Sequence, residues 1–291
     1  MSFLNPVSEQ VSVYRSTDAD APVLNKTANN LAVLFKACLV TGYGTKVGAG
    51  WTMPFEDMAT GVKVFKPDAI ADIPYFLRLS ADTGTSSVAQ VYLDMTAASV
   101  GTLKMQLATA FKYATGAISG KWILIASKTS VWFMCEQATA GVSIDRAGAY
   151  FYCGSVRTSD AAESAIYMQH TGGSGDNGNY SPPTGIYTTA NEYLKGQLML
   201  SDHTVTSTDF RGQHSGEGAF TNTNNVSPFW SIVNGEMYYL PNLFLPLNQD
   251  VHSNFATVTI SDGCSAIECV SVGMSGWGNT MFYIPTQKWV V

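Results

Sequence analysis

The sequence predicts an α+β fold dominated by β-structure: antiparallel sheets, sandwich- or barrel-like, with one clear amphipathic helix near the N-terminus. Three observations carry this expectation. Most apolar runs are short and bounded by Gly, Asn, Asp or Pro, as strands are. Two of them, Trp122–Ala126 and Val131–Cys135, are joined by the polar link Ser127-Lys128-Thr129-Ser130, which is hairpin spacing. Only one stretch has a strong helical period, with Leu31, Leu34, Phe35, Cys38 and Leu39 at i, i+3, i+4, i+7 and i+8.

The elements follow in chain order. The helix is expected over 25–40, with Asn25 or Thr27 as its cap and Gly42 ending it. The stretch before Asn25 reads as extended, an arm available to a neighbouring chain. After the helix comes a glycine-punctuated turn, Gly42-Tyr43-Gly44 through Gly48-Ala49-Gly50, leading to Trp51. A weaker second helix is expected from about Leu103 to Tyr113. Strands are expected at Val62–Phe65, Tyr75–Leu79, Val88–Met95, Tyr150–Gly154 and Ser164–Gln169, then at Phe255–Ile260, Ala266–Val272 and Met281–Ile284. The segment 171–185, TGGSGDNGNYSPPTG, lacks apolar periodicity and reads as a loop or linker. It separates an N-terminal α+β region, 1–170, from a β-rich region, 186–291, which form either two domains or one continuous one. A second turn-rich stretch runs from Arg211 to Asn225, and no tandem repeat occurs.

Composition narrows the function. Of 291 residues, 16 are Lys or Arg and 22 are Asp or Glu, a formal net charge of −6; only 13% are charged and 46% are hydrophobic. That composition excludes intrinsic disorder. It also argues against a basic nucleic-acid-binding face, which needs clustered Lys and Arg. No run approaches the roughly 18–20 apolar residues of a membrane helix, and residues 1–10 lack the basic and apolar regions of a signal peptide. So few charges suit a surface that packs against other chains, since interfaces are depleted in Lys, Glu and Asp. An all-β fold with Ser/Thr-rich strands gives the same composition.

Motifs for chemistry are sparse. The five cysteines, Cys38, Cys135, Cys153, Cys264 and Cys269, have no zinc spacing and are expected to be buried thiols. His170, His203, His214 and His252 form no metal or catalytic pattern, and no phosphate-binding glycine motif occurs. Glu56-Asp57, Asp160 with Glu163, and Glu217 are the carboxylates a glycosidase would need in pairs. Asp18 with Asp20 and Asp176-Asn177-Gly178-Asn179 are the candidate ion sites. Nothing in the spacing brings these groups together, so no catalytic, cofactor-binding or metal-binding residue is assigned and no cofactor is expected. The aromatic residues Trp230, Tyr238, Tyr239 and Trp277, beside Phe229 and Trp289, form a candidate binding surface for a glycan or host receptor. The competing reading is core and inter-chain packing.

One block has a specific resemblance. Val11-Ser12-Val13-Tyr14-Arg15-Ser16-Thr17-Asp18, Ala21-Pro22-Val23-Leu24, Ala37-Cys38-Leu39-Val40, Gly42-Tyr43-Gly44, Lys46 and Ala49-Gly50-Trp51 together resemble a group of structural proteins of tailed bacteriophages and prophages. Tyr75–Leu79, Gly185-Ile186-Tyr187 with Lys195-Gly196, and Leu240-Pro241-Asn242-Leu243 to Pro246-Leu247 resemble later blocks of that group, with Asn242 and Asn248 replacing its usual Gly and His. The resemblance implies a non-enzymatic virion protein, made in the bacterial cytoplasm. It would be a capsid-decorating or tail-associated accessory whose partners are other virion proteins and its own copies, with no nucleic acid and no membrane. Tyr43, Gly42, Gly44, Gly50 and Trp51 are the residues expected to serve structure and assembly.

Overall fold

The computed structural model describes residues 8–68, 73–84, 87–106, 120–139, 142–158, 165–172, 191–213, 226–246, 254–261, 266–273 and 281–290. Its elements are β1 (Ser8–Gln10), β2 (Ser12–Arg15), α1 (Asn30–Lys36), β3 (Thr52–Asp57), β4 (Val62–Lys66), β5 (Phe76–Leu79), β6 (Ala89–Ala97), β7 (Val100–Gln106), β8 (Trp122–Ala126), β9 (Val131–Thr139) and β10 (Val142–Thr158). There follow β11 (Ala165–Gly172), β12 (Asn191–Leu200), β13 (Val205–Gln213), β14 (Val226–Val233), β15 (Glu236–Pro246), β16 (Thr257–Ser261), β17 (Ala266–Gly273), β18 (Met281–Pro285) and β19 (Lys288–Val290).

The chain is β-dominated, antiparallel and sandwich-like. Five strands form a small sheet in the order β3-β4-β5-β6-β7. Twelve form a large sheet, β16-β17-β18-β15-β14-β13-β12-β11-β10-β9-β8-β2, and β1 pairs with β19. Strands from both sides of 171–185 share the large sheet; residues 173–185 themselves lie outside the described residues. Arg157 and Thr158 of β10 also pair with Tyr239 and Tyr238 of β15, so the sheet curls back on itself between these strands while its ends stay open.

Curling gives the large sheet two apolar faces. Trp122, Leu124, Val131, Phe133, Phe151, Cys153 and Ile166 face a first core, shared with α1 and the small sheet. Ile123, Ile125, Trp132, Met134, Tyr152 and Tyr167 face a second core inside the curl, with Phe229, Leu240, Val270 and Phe282. This explains why 122–126 and 131–135 are unbroken apolar runs: both faces are covered, so no position alternates to polar.

The helix differs from its expectation. It begins at Asn30, five residues late, and its last turn widens into a π-turn, Ala37–Thr41. Asn25 accepts hydrogen bonds from Thr27 N and Asn30 Nδ2, making a tight turn before the helix. The cap position is Asn29, with φ 67° and no side-chain cap. Asp82, from the loop after β5, points its carboxylate at the free Leu31 N–H instead, at 3.5 Å. Phe35 anchors the helix between Phe65, Phe133 and Phe151.

Two further expectations are corrected. Residues 103–106 belong to β7, not to a helix: Met105 pairs with Val91 of β6 and is buried, while Leu103 pairs with Tyr92 and is 45% exposed. Pairing with β6 through a tight turn outweighs the local helical pattern; residues 107–113 lie outside the described ones. The stretch before Asn25 is not an arm, at least from Ser8 on. β1 pairs with β19, β2 pairs with β8, and Tyr14 and Leu24 are fully buried. Sequence reading also missed the β14–β15 hairpin, whose Asn234-Gly235 turn has φ of 53° and 86°, the geometry that favours this dipeptide.

The β8–β9 turn ties the layers together. Ser127 O accepts from Trp51 Nε1 at 2.9 Å, Lys128 O from Asp68 N at 2.9 Å, and Thr129 O from Tyr75 OH at 2.8 Å. The Thr129 hydroxyl donates to the Glu9 carboxylate at 2.8 Å, and Ser130 Oγ accepts from Ser155 N at 3.0 Å. Asn242 accepts from Trp132 Nε1 at 3.0 Å and donates to Tyr152 OH at 3.3 Å. Replacing Thr129 by Val keeps the shape and removes the hydroxyl that Glu9 uses. The expected cost is about 1.5 kcal/mol, read as a lowered urea midpoint, with Thr129→Ser close to wild type.

Candidate functional site

The resembling block folds into one compact junction. Residues 42–51 return from the end of α1 and supply it with donors. Ala37 O accepts from Gly42 N at 2.7 Å, Cys38 O from Ala49 N at 3.0 Å, and Leu39 O from Trp51 N at 3.1 Å. The terminal carbonyls of the helix are therefore satisfied by the glycine-rich return. Two glycines are required for this. Gly42 has φ 76°, and a Cβ there would lie 2.2 Å from Lys46 O; a Cβ on Gly48 would lie 2.3 Å from Val40 O. Gly44 rests against Ala19 O, and Gly50 sits exposed beside the Lys128 side chain. Gly48 is a structural position the sequence reading did not single out; its signal was its place in the same glycine-rich run.

Polar contacts lock the return to the N-terminal strand. Asp18 accepts from Tyr43 OH and from Arg15 N, both at 2.8 Å, and lies 3.8 Å from Lys46 Nζ. Lys46 Nζ donates to Val13 O at 2.9 Å, and Tyr14 OH donates to Val47 O at 2.7 Å. The Tyr43 ring packs on Tyr14 at 5.9 Å and edge-on to Trp122 at 6.5 Å. Trp51, 3% exposed, meets Tyr75 edge-on at 6.1 Å. Burial, reinforced by the Asp18 carboxylate, pushes the Tyr43 phenol far above its usual range, so it acts as a neutral donor. With two hydrogen bonds and the Lys46 ammonium on Asp18 and a neutral Tyr43, the cluster holds chain segments together.

The other candidates disperse. Glu56 bridges Lys63 and Lys36, which hold its carboxyl below the usual range. Asp57 closes the β3–β4 turn through Thr60 Oγ1 and Ala59 N. His203 sits in the β12–β13 turn with φ 64°. His170 lies in β11, while His214, His252, Asp160, Glu163, Glu217, Asp176-Asn177-Gly178-Asn179 and Cys264 lie outside the described residues. Cys38, Cys135, Cys153 and Cys269 are buried thiols outside any disulfide. Among the described residues no three His, Cys, Asp or Glu converge as a metal would require.

The aromatic surface is divided. Tyr238 is 2% exposed and packs in the second core with Phe229, Leu240 and Trp289. Trp230 and Tyr239 are half-buried, directly opposed in register, on the other face of β14 and β15. Trp277 lies outside the described residues. Tyr238 is thus a core residue, and only Trp230 and Tyr239 of the candidate surface are brought together.

No protein-family model, curated protein or solved structure matches the chain.

Trp51→Ala should cost about 3–5 kcal/mol by core truncation, whereas Tyr43→Phe should cost about 1 kcal/mol, because Asp18 keeps two other partners; thermal melts of the two variants separate these sizes. The pH dependence follows from burial. It pushes the Tyr14 phenol up to about 12, and the Cys153 and Cys269 thiols up to about 12, from ordinary values of 10.0 and 9.0. The unfolded chain releases these protons first. The stability they contribute is therefore complete below about pH 9 and lost as pH rises towards 12, which a urea midpoint level up to about pH 9 and falling above it would record.

Proposed function

We propose that this chain is a non-enzymatic structural component of a tailed-phage virion, an accessory protein of the capsid or tail that acts through repeated contacts with its own copies and with other virion proteins. It is made in the bacterial cytoplasm and works in the particle. The observation that carries this reading, beyond the resembling block, is the asymmetry of the small sheet's two edges. β3 is interrupted by Pro54 and bears Glu56 and Asp57, features that discourage strand addition. Among the described residues β7 carries neither proline nor charge over 100–103, where its pairing with β6 is bulged and Val100 is 58% and Leu103 is 45% exposed. Its far end is engaged: Gln106 N donates to Gln197 Oε1, and Lys104 Nζ donates to His203 O. An open edge with exposed apolar side chains is a liability in a lone chain and a lateral contact in an assembly. The low charge content supports the same reading.

Quantitative mass spectrometry of purified particles, against the major capsid protein, tests it. Copies on the order of hundreds place the chain on the capsid lattice, and roughly six or twelve place it at the tail; absence from particles overturns the proposal. Replacing both Val100 and Leu103 by Lys should leave folding stability within about 0.5 kcal/mol and deplete the protein from particles.

A further inference from the structure

Arg157, Tyr239 and Trp230 stand in one row across β10, β15 and β14. Arg157 is directly opposite Tyr239, and Tyr239 is directly opposite Trp230. Opposed residues of antiparallel strands share a face. Their neighbours identify that face: Val156, Tyr238 and Phe229 are 6%, 2% and 0% exposed and belong to the second core, so the row points away from it. Strands lie about 4.8 Å apart, making the row about 10 Å long. The next opposed pair on the same face is Ile232, 59% exposed, with Met237. At the other side of Trp230 the register places Arg211 of β13 directly opposite it.

The three polar ends are a guanidinium, a phenol hydroxyl and an indole N–H. All donate, and among the described residues none of the three has a hydrogen-bond or ion-pair partner. That is unusual here: Trp51, Trp122, Trp132 and Trp289 all have their indole N–H bonded. Arg15 and Arg78 likewise donate to backbone carbonyls. β10, β14 and β15 each have neighbours on both sides, so this face has no open edge to which a peptide adds as a strand. What remains is a pair of aromatic side chains, Trp230 and Tyr239, flanked by the Arg157 donor on the outward face of the curled sheet. It matches a ligand with apolar C–H faces, many acceptor oxygens and a negative charge.

We propose that the Arg157–Tyr239–Trp230 row binds a carboxylate-bearing saccharide, with sugar rings resting on Trp230 and Tyr239 and the carboxylate on Arg157. The proposal rests on this row alone and is independent of where the protein resides. The test uses the full chain on a glycan array that carries sialylated, uronate-containing and neutral glycans, followed by calorimetry with the strongest binder and with its carboxyl-reduced form. The expected result is binding confined to acidic glycans and weakened about tenfold or more by carboxyl reduction. Arg157→Gln should abolish that discrimination, and Trp230→Leu should weaken both forms. The carboxyl-reduced ligand needs no variant, so the test stands even if a substitution impairs folding. No acidic glycan bound, equal binding of the reduced form, or unchanged binding by Arg157→Gln would each overturn it. So would a concentration-dependent self-association lost in Arg157→Gln, which would assign the row to a second copy. Particle copy number reads the virion proposal separately, and neither result decides the other.

Discussion

Four consecutive residues between two apolar strands, Ser127 to Ser130, are the constraint on which the rest of this structure depends. Ser127, Thr129 and Ser130 are each 1% exposed. Buried polar groups are tolerated only when they are paired. Here the partners come from every layer: Trp51 from the helix return, Asp68 and Tyr75 from beside the small sheet, Glu9 from the N-terminal strand and Ser155 from β10. A displaced layer would strand a donor or acceptor in an apolar interior, at about 1–3 kcal/mol each. The turn therefore sets the relative placement of layers that apolar packing alone would leave free to slide.

The N-terminal block obeys the same logic at the helix. A seven-residue helix is too short to persist by propensity. It persists because Phe35 is clamped by three aromatic rings and because both helix ends are satisfied by distant chain, Asp82 at one and residues 42–51 at the other. Tyr14, Asp18, Tyr43 and Lys46 then fasten the return loop to β2. Residues read from the sequence as candidate sites are here engaged in structural bonds, and the Asp18 carboxylate, half of a candidate ion site, is the clearest example.

The surfaces divide in a complementary way. Among the described residues the small sheet leaves its β7 edge unpaired over 100–103, with Val100 and Leu103 exposed. The curled sheet has no edge near Trp230 and Tyr239 but presents unpartnered donors. The two features lie on different sheets and call for different chemistry, one for backbone pairing and apolar burial, the other for an acceptor-rich anion.

Much of the architecture was legible in the sequence because it follows from local pattern. The β-dominated antiparallel fold, the 122–135 hairpin, the strands near 62, 76, 89, 257, 266 and 281, and the helix centred on Leu34 and Phe35 are all periodicities of apolar residues bounded by turn formers. The doubly buried hairpin strands were visible as unbroken apolar runs. What lay beyond the sequence were matters of long-range pairing. The helix start moved to Asn30 because its capping partner, Asp82, is some fifty residues away. Residues 103–106 became a strand because β6 offered hydrogen bonds that local propensity could not outweigh. Of the four aromatic candidates, only tertiary register turned Tyr238 into the core and set Trp230, Tyr239 and Arg157 side by side. Sequence determines which residues want burial and which want a turn. Which polar group meets which is decided only when strands distant in the chain come into register, since each such meeting depends on two positions at once.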